Sequence, residues 1–243
     1  MKQHSSKRTK ADPQEEILDA EGLQFAEEAA SDPVKRYMIS AAVVVVALFL
    51  VWIGVDMYLS SQQESREAAT AALSQVRPYY QDGQYANALS GDSIPGFGNT
   101  PAIGLEKIVS RYGDTEAGKL AALYAGQSHR MLGNFSKAEE YFNRATGAES
   151  PLTRIGALAG LGACKAESGN FATAAEMYEQ AATLAETTGN SPRYQLYAAM
   201  LREKDGDKDG ALRLYREIIA DNQFSEFAGE AKSGVARLGE TIQ

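Results

Sequence analysis

LGNFSKAEEYFNRA at residues 132–145, SGNFATAAEMYEQA at 168–181 and DGDKDGALRLYREI at 205–218 are three versions of one pattern, and the fold follows from their spacing. Aligned on Gly133, Gly169 and Gly206, the versions recur at intervals of 36 and 37 residues. Five residues after each glycine stands an alanine: Ala138, Ala174 or Ala211. Nine after stands an aromatic, Phe142, Tyr178 or Tyr215, and twelve after come Ala145, Ala181 and Ile218. Seven before lies a small residue, Gly126, Gly162 or Ala199. A degenerate fourth copy, QDGQYANAL at 81–89, keeps Gly83, Tyr85 and Ala88 in register. A period of this length marks a repeat architecture, in which single units cannot bury their apolar faces alone and must stack.

Each position has a mechanical reason in a helix–turn–helix unit. The glycine permits a tight turn, the small residues let two helices approach, and the aromatic of the second helix fills the space between adjacent units. The pattern resembles the tetratricopeptide repeat (TPR), which has glycine and alanine at these places and an aromatic where Phe142, Tyr178 and Tyr215 stand. That resemblance implies an all-α solenoid of stacked helix–turn–helix units over about residues 65 to 220. The chain also departs from the family. Its period exceeds the usual length of about 34, the tryptophan and tyrosine of the first helix are replaced, and SGDSIPGFGNTPAIG at 90–104 interrupts the first copy. Two prolines and four glycines there forbid a regular helix. The stretch 225–239, with Phe227, Ala228, Ala231, Val235 and Leu238 on one stripe, reads as a final amphipathic helix that caps the stack.

Upstream of the repeats, 18 consecutive residues from Met38 to Val55 carry no charge, and Met57, Tyr58 and Leu59 extend the run. A bilayer core of about 30 Å needs roughly 20 helical residues, so residues 37–59 are expected to span a membrane. The run is too long for the apolar region of a signal peptide, and no small-residue cleavage pattern follows it, which predicts an uncleaved anchor. Lys35 and Arg36 abut its N-terminal end and no cation follows until Arg66, so residues 1–36 are expected in the cytoplasm and 60–243 outside. In a bacterium that means the inner membrane and a periplasmic domain. The apolar stripe Ala68, Ala69, Ala72, Leu73 and Val76 predicts that the membrane helix continues outward. In the acidic tail, Asp12-Pro13 has the form of a helix start, so 13–30 could form a short helix, with disorder equally compatible.

Composition excludes several functions. With 24 Lys and Arg against 32 Asp and Glu, the chain lacks the concentrated basic face that nucleic acid requires. Its one cysteine, Cys164, forms no internal disulfide, and its two histidines, His4 and His129, make no metal cluster or nucleophilic triad. Gly113 to Lys119 satisfies the spacing of a phosphate-cradling loop, but Leu120 stands where Ser or Thr should reach magnesium and no strand precedes it. A turn between helices, with Asp114 or Thr115 capping the next, is the expected reading. Asp205, Asp207 and Asp209 resemble a calcium loop only loosely, lacking the later glutamate. No cofactor, metal, nucleotide or catalytic set is therefore expected.

What remains is surface. In tetratricopeptide-repeat proteins the first helix of each unit lines a groove, and the resemblance carried over by position gives Leu123, Gln127, Arg130 and Met131 in one unit. The next contributes Ala159, Ala163, Ala166 and Glu167, and the following one Leu196, Met200, Glu203 and Lys204. This mixture suits an extended or helical peptide and lacks the lysine and asparagine set that clamps a C-terminal carboxylate in some relatives. The layout of tail, anchor and degenerate repeats resembles the YfgM-type proteins that accompany the bacterial SecYEG translocon. That resemblance implies a protein-binding scaffold, chaperone-like and close to newly translocated polypeptides. An assembly factor of a cell-envelope complex, working through the convex face, the 90–104 loop or the tail, is the alternative.

Overall fold

The computed structural model describes residues 33–92, 94–96, 102–221 and 226–241. The tail before residue 33, with His4 and the segment 13–30, lies outside them, as do the centre of the 90–104 loop and Ser225. Ten α-helices occur among the described residues, with no strand. They are α1 (Pro33–Gln81), α2 (Tyr85–Ser90), α3 (Leu105–Tyr112), α4 (Glu116–Met131), α5 (Phe135–Ala145), α6 (Pro151–Glu167), α7 (Phe171–Ala185), α8 (Ser191–Asp205), α9 (Lys208–Asp221) and α10 (Glu226–Arg237).

The chain divides into two units, Met1–Ser61 and Gln62–Gln243. In the first, α1 opens at Pro33, where a missing N–H costs nothing in a first helical turn, and the side chains of its Val- and Leu-rich run are exposed. Among the described residues it is the one helix long and apolar enough to cross a membrane. In the second unit the same helix becomes amphipathic: Ala69, Leu73 and Val76 are buried with their stripe neighbour Ala72 packed alongside. The helix runs without a break from Pro33 to Gln81, so the expected continuation of the apolar segment into the amphipathic stripe is present.

The three clear sequence copies each fold as a helical hairpin, α4–α5, α6–α7 and α8–α9. The turns between α1 and α2, α4 and α5, α6 and α7, and α8 and α9 place Gly83, Gly133, Gly169 and Gly206 at φ of 75°, 77°, 79° and 88°. Any residue with a Cβ is strained in that left-handed region, which explains why the glycine is the fixed point of the pattern. From α2 onward helices pack on their successors in chain order, and α4 also contacts α6 as α8 contacts α10. Ala138, Ala174 and Ala211 are fully buried. A Cβ added at Gly126 would stand 2.7 Å from Cδ1 of Phe142, and one at Gly162 would stand 2.8 Å from Cδ2 of Tyr178. The small residues therefore exist to admit the ring that follows them in the same hairpin.

Side-chain caps fix several helix starts. Thr115 Oγ1 accepts from the Gly118 N–H at 3.0 Å, Asn170 Oδ1 from Thr173 at 3.4 Å and Asp207 Oδ1 from Gly210 at 2.9 Å. Residues 113–115 are thus a capped turn between α3 and α4, residues 116–120 open α4, and Asp207 is spent on a helix end. The final helix runs within the expected 225–239, with Ala228, Ala231 and Val235 buried against the α8–α9 hairpin.

Candidate functional site

The stripe of α4 that includes Tyr124, Gln127, Arg130 and Met131 repeats at intervals of three and four, so these side chains rise from one face of the helix. Tyr80, from the last turn of α1, stacks on Tyr124 with ring centroids 4.4 Å apart and meets Tyr85 edge-on at 6.0 Å. Arg130 Nε donates to Gln127 Oε1 at 3.2 Å, and its NH2 group lies 3.7 Å from the Met131 sulfur. Further along the stack, Tyr178 of α7 packs edge-on against Tyr197 of α8 at 5.4 Å. Met200, one turn after Tyr197, is 41% exposed, and Met131 is 50% exposed.

Burial is the leading cause that raises the Tyr80 hydroxyl above its ordinary value, followed by Tyr124 and Tyr85, while Arg130 pulls it back. Burial likewise pushes Tyr178 up to about 12, aided by Tyr197 and again opposed by Arg130. One guanidinium therefore acts on both Tyr80 and Tyr178.

The sequence-expected groove divides on inspection. Gln127, Arg130 and Met131 share the α4 stripe, Met200 is exposed on α8, Ala163 is half-buried and Glu167 exposed on α6. Leu123 is half-buried between two core clusters, facing Gly156. Leu196 is only 2% exposed and belongs to the core of the α8–α9–α10 layer, so it lines no groove. Glu203 is not free for a ligand either: it accepts from both Nε and NH2 of Arg237 at 2.8 Å and from the Tyr215 hydroxyl at 2.8 Å. The Arg237 hydrogen bond, chiefly, holds its carboxyl below the usual range, against the opposing effect of burial. Lys204 sits over the Phe171 ring, 4.3 Å from its centroid. Sequence reasoning missed Tyr80, Tyr124 and Tyr197; tyrosines clustered near a repeat turn and on its neighbours were the available signal.

Other chemistry is accounted for structurally. His129 is buried, with Nε2 3.0 Å from Glu106 Oε1 and its ring stacked on Tyr141. Cys164 is fully buried beside Ala138, Phe142 and Leu161, and burial pushes its thiol up to about 11, which makes it a poor nucleophile. A cleft of about 210 Å³ is lined by Arg66, Thr70 and Glu116, among others. Burial alone would raise the Glu116 carboxyl, but the N–H groups of Glu149 and Ser150, donating at 2.7 and 3.2 Å, and Lys119 hold it below the usual range. That carboxylate fastens the start of the α4–α5 hairpin to the start of the next. Among the described residues no group of three or more His, Cys, Asp and Glu side chains could hold a metal ion.

No protein-family model matches the chain, and no curated protein matches it. Among the described residues the fold is thus all-helical, with one helix long and apolar enough to span a membrane and with Met131, Tyr197 and Met200 exposed on α4 and α8.

Proposed function

We propose that this chain is a membrane-anchored tetratricopeptide-repeat scaffold that binds polypeptides through the face carrying Tyr80, Tyr124, Arg130, Met131, Tyr197 and Met200. Aromatic, methionine and arginine side chains dominate protein recognition because they bury large area at modest entropic cost, and here they are exposed or half-exposed on α1, α4 and α8. That outward set is the observation on which the reading rests. The left-handed glycines at each turn and the ring-for-glycine fit within each hairpin support the repeat assignment. The exposed apolar length of α1 supports the anchor, and Lys35 and Arg36 at its start support an N-terminus in the cytoplasm, with the repeats in the periplasm if the cell is bacterial. A place beside a translocon of the SecYEG kind, assisting polypeptides as they emerge, accords with this layout.

Photocrosslinking in cells from benzoylphenylalanine at positions 131 and 200 tests the proposal. Translocon subunits or many unfolded envelope proteins would support a secretion-linked scaffold. One stable, unrelated membrane complex would favour the assembly-factor role instead, and no protein adduct at either position would overturn polypeptide binding by this face.

A further inference from the structure

We propose that a cavity between the end of α5 and the helices α6 and α7 binds a small amphipathic carboxylate, with Arg154 holding the carboxylate and Leu158 and Leu184 holding the apolar body. The site shares no residue with the face proposed for polypeptides, so the two readings stand or fall separately.

The cavity, about 410 Å³, is lined by Thr146, Arg154, Leu158, Gln180, Thr183 and Leu184. That volume lies at the small end of the range for ligand pockets, roughly 300–1,000 Å³. Arg154 and Leu158 are one turn apart on α6, and Gln180, Thr183 and Leu184 keep helical spacing on α7, so two adjacent helices each turn one stripe toward the cavity. Leu158 and Leu184 are half-buried against the core of Ile155, Ala181 and Ala185, which gives the cavity its apolar wall.

Arg154 is the one charged residue of the lining. The half-buried arginines among the described residues are Arg130, Arg154 and Arg202. Arg202 pairs with Glu179 at 2.8 Å and with Asp207 at 3.5 Å, and Arg130 donates to Gln127 Oε1 at 3.2 Å. The Arg154 guanidinium has no hydrogen-bond or ion-pair partner among the described residues. A partly desolvated guanidinium presents its N–H donors in a fixed fork, and a carboxylate both neutralises that charge and accepts the fork.

The remaining polar groups narrow the ligand. The hydroxyls of Thr146 and Thr183 already donate to the backbone carbonyls of Asn143, at 2.7 Å, and Glu179, at 3.1 Å. The Gln180 amide is then the one further side-chain donor in the lining, so the cavity offers enough for a single carboxylate beside an apolar group. The smaller cleft at Arg66 differs, because Asp114, Glu116 and Glu149 line it too and would repel an anion. A carboxylate next to a branched apolar group occurs both as a free acid and at the end of a polypeptide whose last residue is apolar.

The test titrates the full chain in lipid nanodiscs, carbon-13-labelled at its leucine and threonine methyls, with isocaproate and with its uncharged amide. The acid is expected to shift the methyl signals of Leu158 and Leu184 with a Kd at least about tenfold below that of the amide, as a charge-assisted hydrogen bond requires. Arg154→Gln should remove that difference while the amide binds as before, and unchanged methyl signals elsewhere show that the variant folds. Arg154→Lys, which keeps the charge and loses the fork, should retain part of the preference. Equal binding of acid and amide, a preference for the acid that survives Arg154→Gln, or no shift at these methyls up to millimolar concentration overturns the proposal; the first and last of these are read on the unaltered chain. Peptides ending in leucine, with a free or an amidated C-terminus, separate the two sources. Tighter binding of the free-ended peptide than of isocaproate supports the site with a chain end as its ligand, and binding of isocaproate alone supports it with a free acid.

Discussion

Phe142 and Tyr178 occupy the same place in successive hairpins, yet one is sealed and the other half-open. Phe142 is fully buried, with Gly126 of its own hairpin on one side and Gly160 of the next hairpin pressed against its ring on the other. Tyr178 has Gly162 in its own hairpin but meets Tyr197 of the next, which cannot recede as a glycine does, so its ring is left half-buried. Tyr215 returns to the first arrangement, facing Gly234, and its buried hydroxyl is satisfied by Glu203. The residue type on the following helix thus decides whether a junction between hairpins becomes core or surface. The half-open junction is where the candidate site extends.

The largest effect that can break this comparison is removal of the rings. Phe142→Ala should destabilise the hairpin domain by about 3–5 kcal/mol, as a fully buried aromatic does, and Tyr178→Ala by clearly less, both read by denaturant unfolding. Equal losses would mean that the two junctions are packed alike. Next, Gly160→Ala drives a methyl into the Phe142 ring and should cost about 1–3 kcal/mol. Gly169→Ala meets no atom, so only its left-handed backbone is strained, at a cost of about 1 kcal/mol. Thr115→Ala, which removes the α4 cap, should cost about 1 kcal/mol.

The smallest effect concerns pH. Because the folded carboxyl of Glu203 lies below its ordinary 4.5, its contribution to stability is present above that value and is lost as pH falls through the lowered one. Glu203→Gln should flatten that part of the acid limb of a stability profile; an unchanged acid limb would show that the Arg237 and Tyr215 contacts are not held in solution.

Much of this was legible in the sequence. The turn glycines, the buried alanines and the ring at each ninth position follow from a fixed spacing, because each answers to a local constraint. The binding face was legible only in part. In α8 the run YQLYAAML at 194–201 puts apolar residues on every side of the helix, so periodicity could not tell that Leu196 points inward while Tyr197 and Met200 point out. Glu203 looked like free surface because its partner Arg237 lies in a different helix, and Tyr80 finds Tyr124 only through the packing of α1 on α4. Pairings between distant elements have no local signal.

The most direct test of the account is hydroxyl-radical footprinting of the methionines in native membranes and in the purified protein, with the partly buried Met177 as internal reference. The account predicts that Met131 and Met200 are oxidised readily when purified and protected in membranes, where a partner covers their face. Equal oxidation of both in the two preparations would contradict it.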